Sequence, residues 1–155
     1  MLPAPQFADV TAFTVIGSTV RTTNAQEMSG DDGKIGPLWH QYMHGGDEAI
    51  PGTVDRGTTY AVYSGYASDE TGPYDLTLGK SVHPEERAHA GMRSVHIPAA
   101  RYLVFEAAGN SPDAIRTAWR SVYDYFAHHS EQHRAFTIDF EQYSPSGIKL
   151  YIAVR

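Results

Sequence analysis

The sequence contains no cysteine among its 155 residues. This excludes disulfides, thiolate nucleophiles and cysteine-ligated metal centres. Basic residues are also scarce, because 12 Lys and Arg stand against 18 Asp and Glu, which gives a net charge of −6 at pH 7. A nucleic-acid-binding surface needs a clustered excess of positive charge, so direct binding to DNA or RNA is not expected. A neutral or cationic partner fits the charge best.

Long apolar runs are missing as well. No window of the sequence is long and apolar enough to span a bilayer, and the N-terminal segment lacks the charged and apolar regions of a signal peptide. A basic amphipathic stretch that would favour anionic membranes is also absent. We therefore expect a cytoplasmic protein, and the length fits a single domain over residues 1–155.

The first half of the chain reads in the order strand, helix, strand, strand. Residues 12–24 are β-branched and apolar and predict a strand with a bend or bulge at Gly17. The apolar residues of 35–43 recur at helical spacing. Residues 58–66 and 74–82 predict two further strands that are joined across a turn.

The second half repeats this order after a polar linker. Residues 94–109 predict two strands bent at Pro98, and Ser111 followed by Pro112 is a typical helix start. Two C-terminal strands then flank residues 145–147. We infer an internal duplication with repeats over about residues 12–82 and 91–155. The predicted fold class is α+β, in which two pseudo-two-fold-related modules form one antiparallel sheet with two main helices.

Glu141 in the last hairpin is the residue that raises a functional question. A three-residue loop at 145–147 would place Glu141 opposite Tyr151, on a face that also carries Tyr143, while Phe140 would face the core. Ser64 would take the place of Glu141 in the first repeat. Either Glu141 lies on a solvated strand face, or it is a lone carboxylate in an aromatic pocket, where rings could hold an organic cation.

The candidate ligand-binding residues combine this carboxylate with aromatic side chains that the predicted elements place near it. They are Glu141, Trp39, Tyr42, Phe105, Trp119, Tyr143 and Tyr151.

Several segments together resemble the gyrase-inhibitor-like (GyrI-like) family, which includes the effector-binding domains of some AraC-type and multidrug-responsive transcription regulators. The segments are TVIGSTVRTTN, YAVYSGYASDETGPYDLTLGKSV, IPAARYLVFEAAG, TAWRSVYDYF and DFEQY…LYIAV. The resemblance covers nearly the whole chain. It implies duplicated α+β modules with a ligand cavity between the halves, in which a glutamate matching Glu141 contacts cationic, often aromatic, compounds.

The resemblance also implies how this chain differs from the fused regulators. Those proteins carry a DNA-binding domain ahead of the module, whereas only about ten residues precede the first predicted strand here. The expectation is a stand-alone binder of a small organic, cationic ligand that senses, sequesters or presents it. A separate regulator could be its protein partner.

Two other functions remain open at this stage. Some relatives resemble hydrolases that open strained cyclopropane rings of DNA-alkylating natural products, and Glu141 would then be the catalytic base for water. The family name suggests instead that the acidic surface binds DNA gyrase. An enzyme is the less favoured of these interpretations, since no G-x-S-x-G elbow frames a serine nucleophile.

Histidine pairs are the one pattern that suggests a metal. His40 and His44 lie four residues apart on a predicted helix, and His129 and His133 repeat that spacing. The glutamate of the zinc-protease motif is absent, and no third ligand stands at a helpful spacing. We predict neither a metal nor a cofactor.

Overall fold

The β-branched and alternating segments form eight strands that pair into one curled antiparallel sheet. The computed structural model describes residues 3–155. The strands are β1 (Gln6–Val10), β2 (Phe13–Thr22), β3 (Thr59–Ser64), β4 (Tyr74–Val82), β5 (Arg93–Ile97), β6 (Ala100–Glu106), β7 (Asp139–Ser144) and β8 (Gly147–Ala153). Their spatial order is β1-β6-β8-β7-β3-β4-β2-β5.

This strand order is symmetric about the contact between β3 and β7. The first repeat contributes β3, β4 and β2 outward from the centre, and the second contributes β7, β8 and β6. Each half of the chain also lends its first strand to the other half, because β1, which precedes the predicted first repeat, pairs with β6, and β5 pairs with β2. The predicted α+β class with a single duplicated antiparallel sheet is confirmed.

Within residues 3–155, three α-helices complete the fold, and the sequence marks the start of the longest one most clearly. Helix α3 (Pro112–His128) begins after Ser111, whose side chain accepts a hydrogen bond from the Ala114 N–H. Helix α2 (Ile35–Gln41) corresponds to it in the first repeat and continues into a π-helical turn. Helix α1 (Asn24–Met28) and strand β1 are short and were not predicted.

Gly17 pairs with Gly79 in the middle of β2 and β4. The register runs without interruption through this pair, so the predicted bulge at Gly17 is wrong. A Cβ atom on Gly17 would lie 2.0 Å from the carbonyl oxygen of Leu78. Glycine is therefore needed here for close backbone approach within a regular ladder.

The two faces of the sheet bury different apolar clusters. On the helix-covered face, Leu78 packs beneath Leu38 of α2, and Leu150 packs beneath Val122 of α3. A third cluster, which includes Phe140, lies on the opposite face of the sheet.

The β7–β8 hairpin has a shorter loop than the sequence suggested. Ser144 pairs with Gly147, which has a φ of 134° and is the first residue of β8, so the loop holds only two residues. Glu141 consequently faces Leu150, and Tyr151 faces Phe140. The predicted register is wrong by one residue. Because side chains alternate along a strand, this shift moves Tyr151 to the sheet face opposite Glu141.

Candidate functional site

Glu141 lies at the centre of the sheet, on the face covered by the helices. It is the third residue of β7, and it pairs directly with Ala61, the third residue of β3. Only 3% of Glu141 is exposed, and Ala61 is fully buried. Ala61, not Ser64 as predicted, is therefore its counterpart in the first repeat, and Ser64 points to the other face of the sheet.

Three aromatic side chains donate hydrogen bonds to the Glu141 carboxylate. The Tyr143 hydroxyl donates to Oε1 at 2.5 Å. The Trp119 indole N–H and the Tyr63 hydroxyl donate to Oε2 at 2.6 and 2.8 Å. Burial raises the pKa of Glu141, and these three hydrogen bonds oppose part of that rise. The carboxylate is thus held in a fixed orientation by rings that are themselves apolar.

The rings around the carboxylate follow the symmetry of the fold. Trp39 of α2 packs edge-on against Tyr143, with 4.9 Å between ring centroids. Trp119 of α3 packs in the same way against Tyr63, at 5.2 Å. Each helix therefore brings one tryptophan onto a tyrosine next to Glu141, and we call these four rings and the carboxylate the Glu141 cage.

Tyrosines extend the Glu141 cage toward the far end of β3. The ring of Tyr74 lies 5.4 Å from that of Tyr63 and 6.0 Å from that of Tyr66. The Tyr74 hydroxyl donates to the Asn24 side-chain oxygen at 2.9 Å, and the Asn24 amide donates to the Tyr123 hydroxyl at 3.2 Å. This chain of contacts connects α1 to α3 across one end of the aromatic row.

The other buried charges on this face have partners of their own. Asp139 accepts hydrogen bonds from Arg134 at 2.7 Å and from Tyr66 at 2.5 Å. Lys80 donates to the Arg56 carbonyl at 2.8 Å, and burial lowers its pKa. Within residues 3–155, Glu141 is the buried carboxylate that lacks a cationic partner.

Comparison with known proteins identifies the family. Residues 8–154 match the Cass2 family, which is described as integron-associated effector binding protein. The chain belongs to this family. An integron cassette protein from the mobile metagenome of Vibrio cholerae is 32% identical with a TM-score of 0.83, over 99% of this chain and 97% of that one. No curated protein matches the sequence.

More distant solved structures share the fold of this Cass2-family protein. SAV2435 bound to tetraphenylphosphonium has a TM-score of 0.71 at 14% identity, over 97% of this chain and 93% of that one. The C-terminal domain of EcmrR has a TM-score of 0.62 at 12% identity, over 100% and 98%. These likenesses confirm the fold that the resemblance to the GyrI-like family implied, and the description of the Cass2 family makes this chain an effector-binding protein.

The Cass2-family fold brings some of the predicted site residues together and separates others. Trp39, Trp119 and Tyr143 surround Glu141 as described above, and Tyr42 is adjacent to Trp39 at 6.1 Å between ring centroids. The Tyr42 hydroxyl shares a 2.8 Å hydrogen bond with Thr59, and burial raises its pKa to about 12.

Two predicted residues lie away from the cage. Phe105 is buried beneath α3, where its ring packs against Tyr125 at 5.7 Å. Tyr151 stacks on Phe140 at 4.5 Å on the opposite face, and both line an open depression of about 300 Å³. The placement of Tyr151 beside Glu141 is therefore wrong, for the reason of register given above.

Sequence reasoning missed Tyr63, although its contact with Glu141 is direct. Its position in the alternating run TYAVYS puts it on the same face as Ala61. Only the pairing of β3 with β7 shows that this face is also that of Glu141. The matching tyrosines at the fifth position of both strands, Tyr63 and Tyr143, are the available signal, but the predicted alignment of the repeats, with Ser64 in the place of Glu141, is offset by three residues.

Histidines of both predicted pairs stack on neighbouring aromatic rings. The exposed rings of His40 in α2 and His44 in the following π-helical turn stack at 4.0 Å between centroids, and the ring of His129 stacks on Tyr125 at 3.9 Å. Across residues 3–155, no group of three or more potential ligands is arranged to hold a metal ion. Among the helices of the same residues, none has the length and apolar character to cross a bilayer.

Proposed function

We propose that this protein binds an organic cation with an aromatic or apolar body, and that Glu141 provides the countercharge. The single observation that supports this most is the buried carboxylate with aromatic donors and without a cationic partner in residues 3–155. A buried charge left uncompensated is costly, and a cation that enters beside it removes part of that cost.

The hydrogen bonds of Glu141 favour a cation that has no N–H groups of its own. Tyr63, Tyr143 and Trp119 already satisfy both carboxylate oxygens. A quaternary ammonium or phosphonium ion needs no hydrogen bond, so it could approach the carboxylate while these donors remain in place. The surrounding ring faces would add cation–π attraction of about 0.5–2 kcal/mol each.

The distant relative with a bound ligand supports the same chemistry. SAV2435 binds tetraphenylphosphonium, a permanent cation that carries four aromatic rings. At 14% identity the likeness extends only to the fold, so the ligand class is transferred here as part of the proposal.

The test is a titration of tryptophan fluorescence with tetraphenylphosphonium, since Trp39 and Trp119 are the two tryptophans and both belong to the Glu141 cage. Glu141→Gln keeps the shape and removes the charge, and we expect its affinity to fall by about tenfold or more, or roughly 1.4 kcal/mol. Glu106→Gln is the matched control, because it removes one carboxylate from an exposed position. Equal loss in both variants would contradict the proposal.

A hydrolytic role is the weaker candidate. A general base must have a lone pair available for the proton of water, and Tyr and Trp donors already occupy three of the about four acceptor positions of the Glu141 carboxylate, which leaves one on Oε1. The raised pKa of Glu141 would suit such a base. Formation of a ring-opened product from a cyclopropane substrate would separate this function from binding alone, and a supercoiling assay tests the gyrase interpretation.

A further inference from the structure

Arg134 is a buried cation whose hydrogen-bonding capacity is only partly used. Its side chain is 6% exposed, and its Nη2 donates to the Oδ2 of Asp139 at 2.7 Å. Its Nε and Nη1 atoms are buried and have no hydrogen-bond partner among residues 3–155. Buried guanidinium N–H groups without acceptors are uncommon and costly, so these two nitrogens call for an explanation.

The ion pair with Asp139 does not explain why Nε and Nη1 of Arg134 are buried without acceptors. One guanidinium nitrogen makes that ion pair, and Asp139 also accepts hydrogen bonds from the Tyr66 hydroxyl and the Ala153 N–H. A lysine could supply the same charge through a single ammonium group. The planar group with five N–H donors offers more than this ion pair uses.

Aromatic rings, rather than acceptors, surround the unused nitrogens. The guanidinium carbon of Arg134 lies 4.4 Å from the ring centroid of Phe136 and 5.9 Å from that of Trp119. Ring faces attract the charge but accept hydrogen bonds only weakly.

Trp119 places this arginine next to the proposed cation site. The same indole whose face lies under Arg134 donates its N–H to Glu141. Tyr63, Tyr74 and Tyr66 form a row of neighbouring rings between Glu141 and Asp139, the partner of Arg134. One aromatic wall therefore has a carboxylate at one end and an under-used guanidinium at the other.

We propose that Arg134 is a second polar contact for the ligand. The ligand then has a cationic group that lies against Glu141 and, at its other end, a carbonyl or carboxylate oxygen that accepts a hydrogen bond from Nε or Nη1 of Arg134. An aromatic body between these two ends packs along Trp119. This inference rests on the proposed function and adds to it the chemistry of the other end of the ligand. An acceptor there would replace the missing hydrogen bonds, which a purely apolar end could not do.

The test compares probes that differ only at that end. The parent is benzyltrimethylammonium, and its 4-carboxamide and 4-isopropyl derivatives are similar in size and equal in charge. Tryptophan fluorescence titrations of the wild type should give an affinity for the carboxamide at least about tenfold higher than for the isopropyl compound, a difference of about 1.4 kcal/mol. Equal affinities, or a preference for isopropyl, would overturn the inference.

Arg134→Lys identifies the donor, because it retains a cation for Asp139 and lacks the planar guanidinium. In this variant the preference for the carboxamide should disappear while the parent cation still binds. A folded Arg134→Lys that keeps the full preference would show that another donor, such as Tyr123, holds the acceptor, and would also overturn the inference.

A second measurement needs no variant. In the wild-type protein, the Nε–H resonance of Arg134, assigned through its own backbone, should shift on addition of the carboxamide and stay in place with the isopropyl compound. An unchanged resonance at saturation contradicts the contact even if Arg134→Lys does not fold.

The outcome separates this inference from the function on which it rests. If the parent cation binds through Glu141 but the carboxamide gains nothing, only the role of Arg134 is wrong. If Glu141→Gln binds the parent cation as well as the wild type does, the proposed function itself fails.

Discussion

Ala61 and Glu141 face each other across the central strand pair, and each occupies the place of the other in the duplicated fold. The methyl group of Ala61 leaves room for the longer side chain of Glu141, which lies close to the axis that relates the two repeats. One carboxylate thereby meets aromatic donors from both halves, namely Tyr63 from the first and Tyr143 and Trp119 from the second. A second glutamate at this position would face the first directly, and like charges so placed destabilise each other.

Enlarging Ala61 should disturb the site before it disturbs the rest of the sheet. Ala61→Val adds two methyl-sized groups at a fully buried position, which typically costs about 1–3 kcal/mol of unfolding free energy. It should also weaken tetraphenylphosphonium binding, because the added bulk displaces the Glu141 side chain. Val62→Ile enlarges a buried residue on the opposite face and serves as the control. Urea unfolding measures stability and fluorescence titration measures binding, and unchanged cation affinity in Ala61→Val would show that the space beside Glu141 is not needed.

The tyrosine hydroxyls should determine the pH at which a cation can bind. Tyr143→Phe removes the donor to Oε1 and therefore one of the hydrogen bonds that oppose the rise in the pKa of Glu141. The pKa of Glu141 should rise further, so cation binding should be lost at a higher pH than in the wild type. Tyr60→Phe is the control, because Tyr60 lies on the other face of the sheet. The measurement is the dissociation constant for tetraphenylphosphonium from pH 4 to 8, and identical pH profiles for wild type and Tyr143→Phe would count against this account.

Much of the fold could be predicted from local signals, and the site could be predicted only in part. Helix α3 is marked by Ser111 and Pro112, which act within a few residues, and the sequence placed its start correctly. Glu141 was recognised as unusual, but the partner across its hairpin was misplaced because Gly147 was assigned to the loop instead of the strand. Tyr63 contacts Glu141, and Arg134 contacts Trp119, although the residues of each pair are far apart in the sequence. No local sequence pattern predicts such contacts.

Stability should depend on pH in a direction fixed by the shift at Glu141. Burial raises its pKa in the folded protein above that in the unfolded chain, so the folded state binds this proton more readily. The wild type should therefore gain stability relative to Glu141→Gln as the pH falls from neutral through the raised pKa to the ordinary value of 4.5. This gain in the stability of the wild type over Glu141→Gln should be fully present below the ordinary pKa of 4.5 and should be lost as the pH rises through the raised pKa of the folded protein.

Urea unfolding of both proteins between pH 4 and 8 measures this difference. Subtraction of the two curves removes the contribution of groups common to both proteins, including Asp139, Arg134 and Lys80. A difference that is flat across this range, or that changes in the opposite direction, would mean that the Glu141 carboxyl is not shifted upward by burial.

The measurement that tests the central claim most directly is a thermodynamic cycle that combines removal of the charge of Glu141 with removal of the charge of the ligand. Wild type and Glu141→Gln are each titrated with tetraphenylphosphonium and with triphenylphosphine oxide, a neutral compound that also carries phenyl rings on phosphorus. The substitution should weaken binding of the cation by about tenfold or more and change binding of the neutral compound far less, a coupling of roughly 1.4 kcal/mol. Equal effects of the substitution on both ligands would contradict the central claim, since Glu141 would then act on the shape of the site and not on the charge of what it binds.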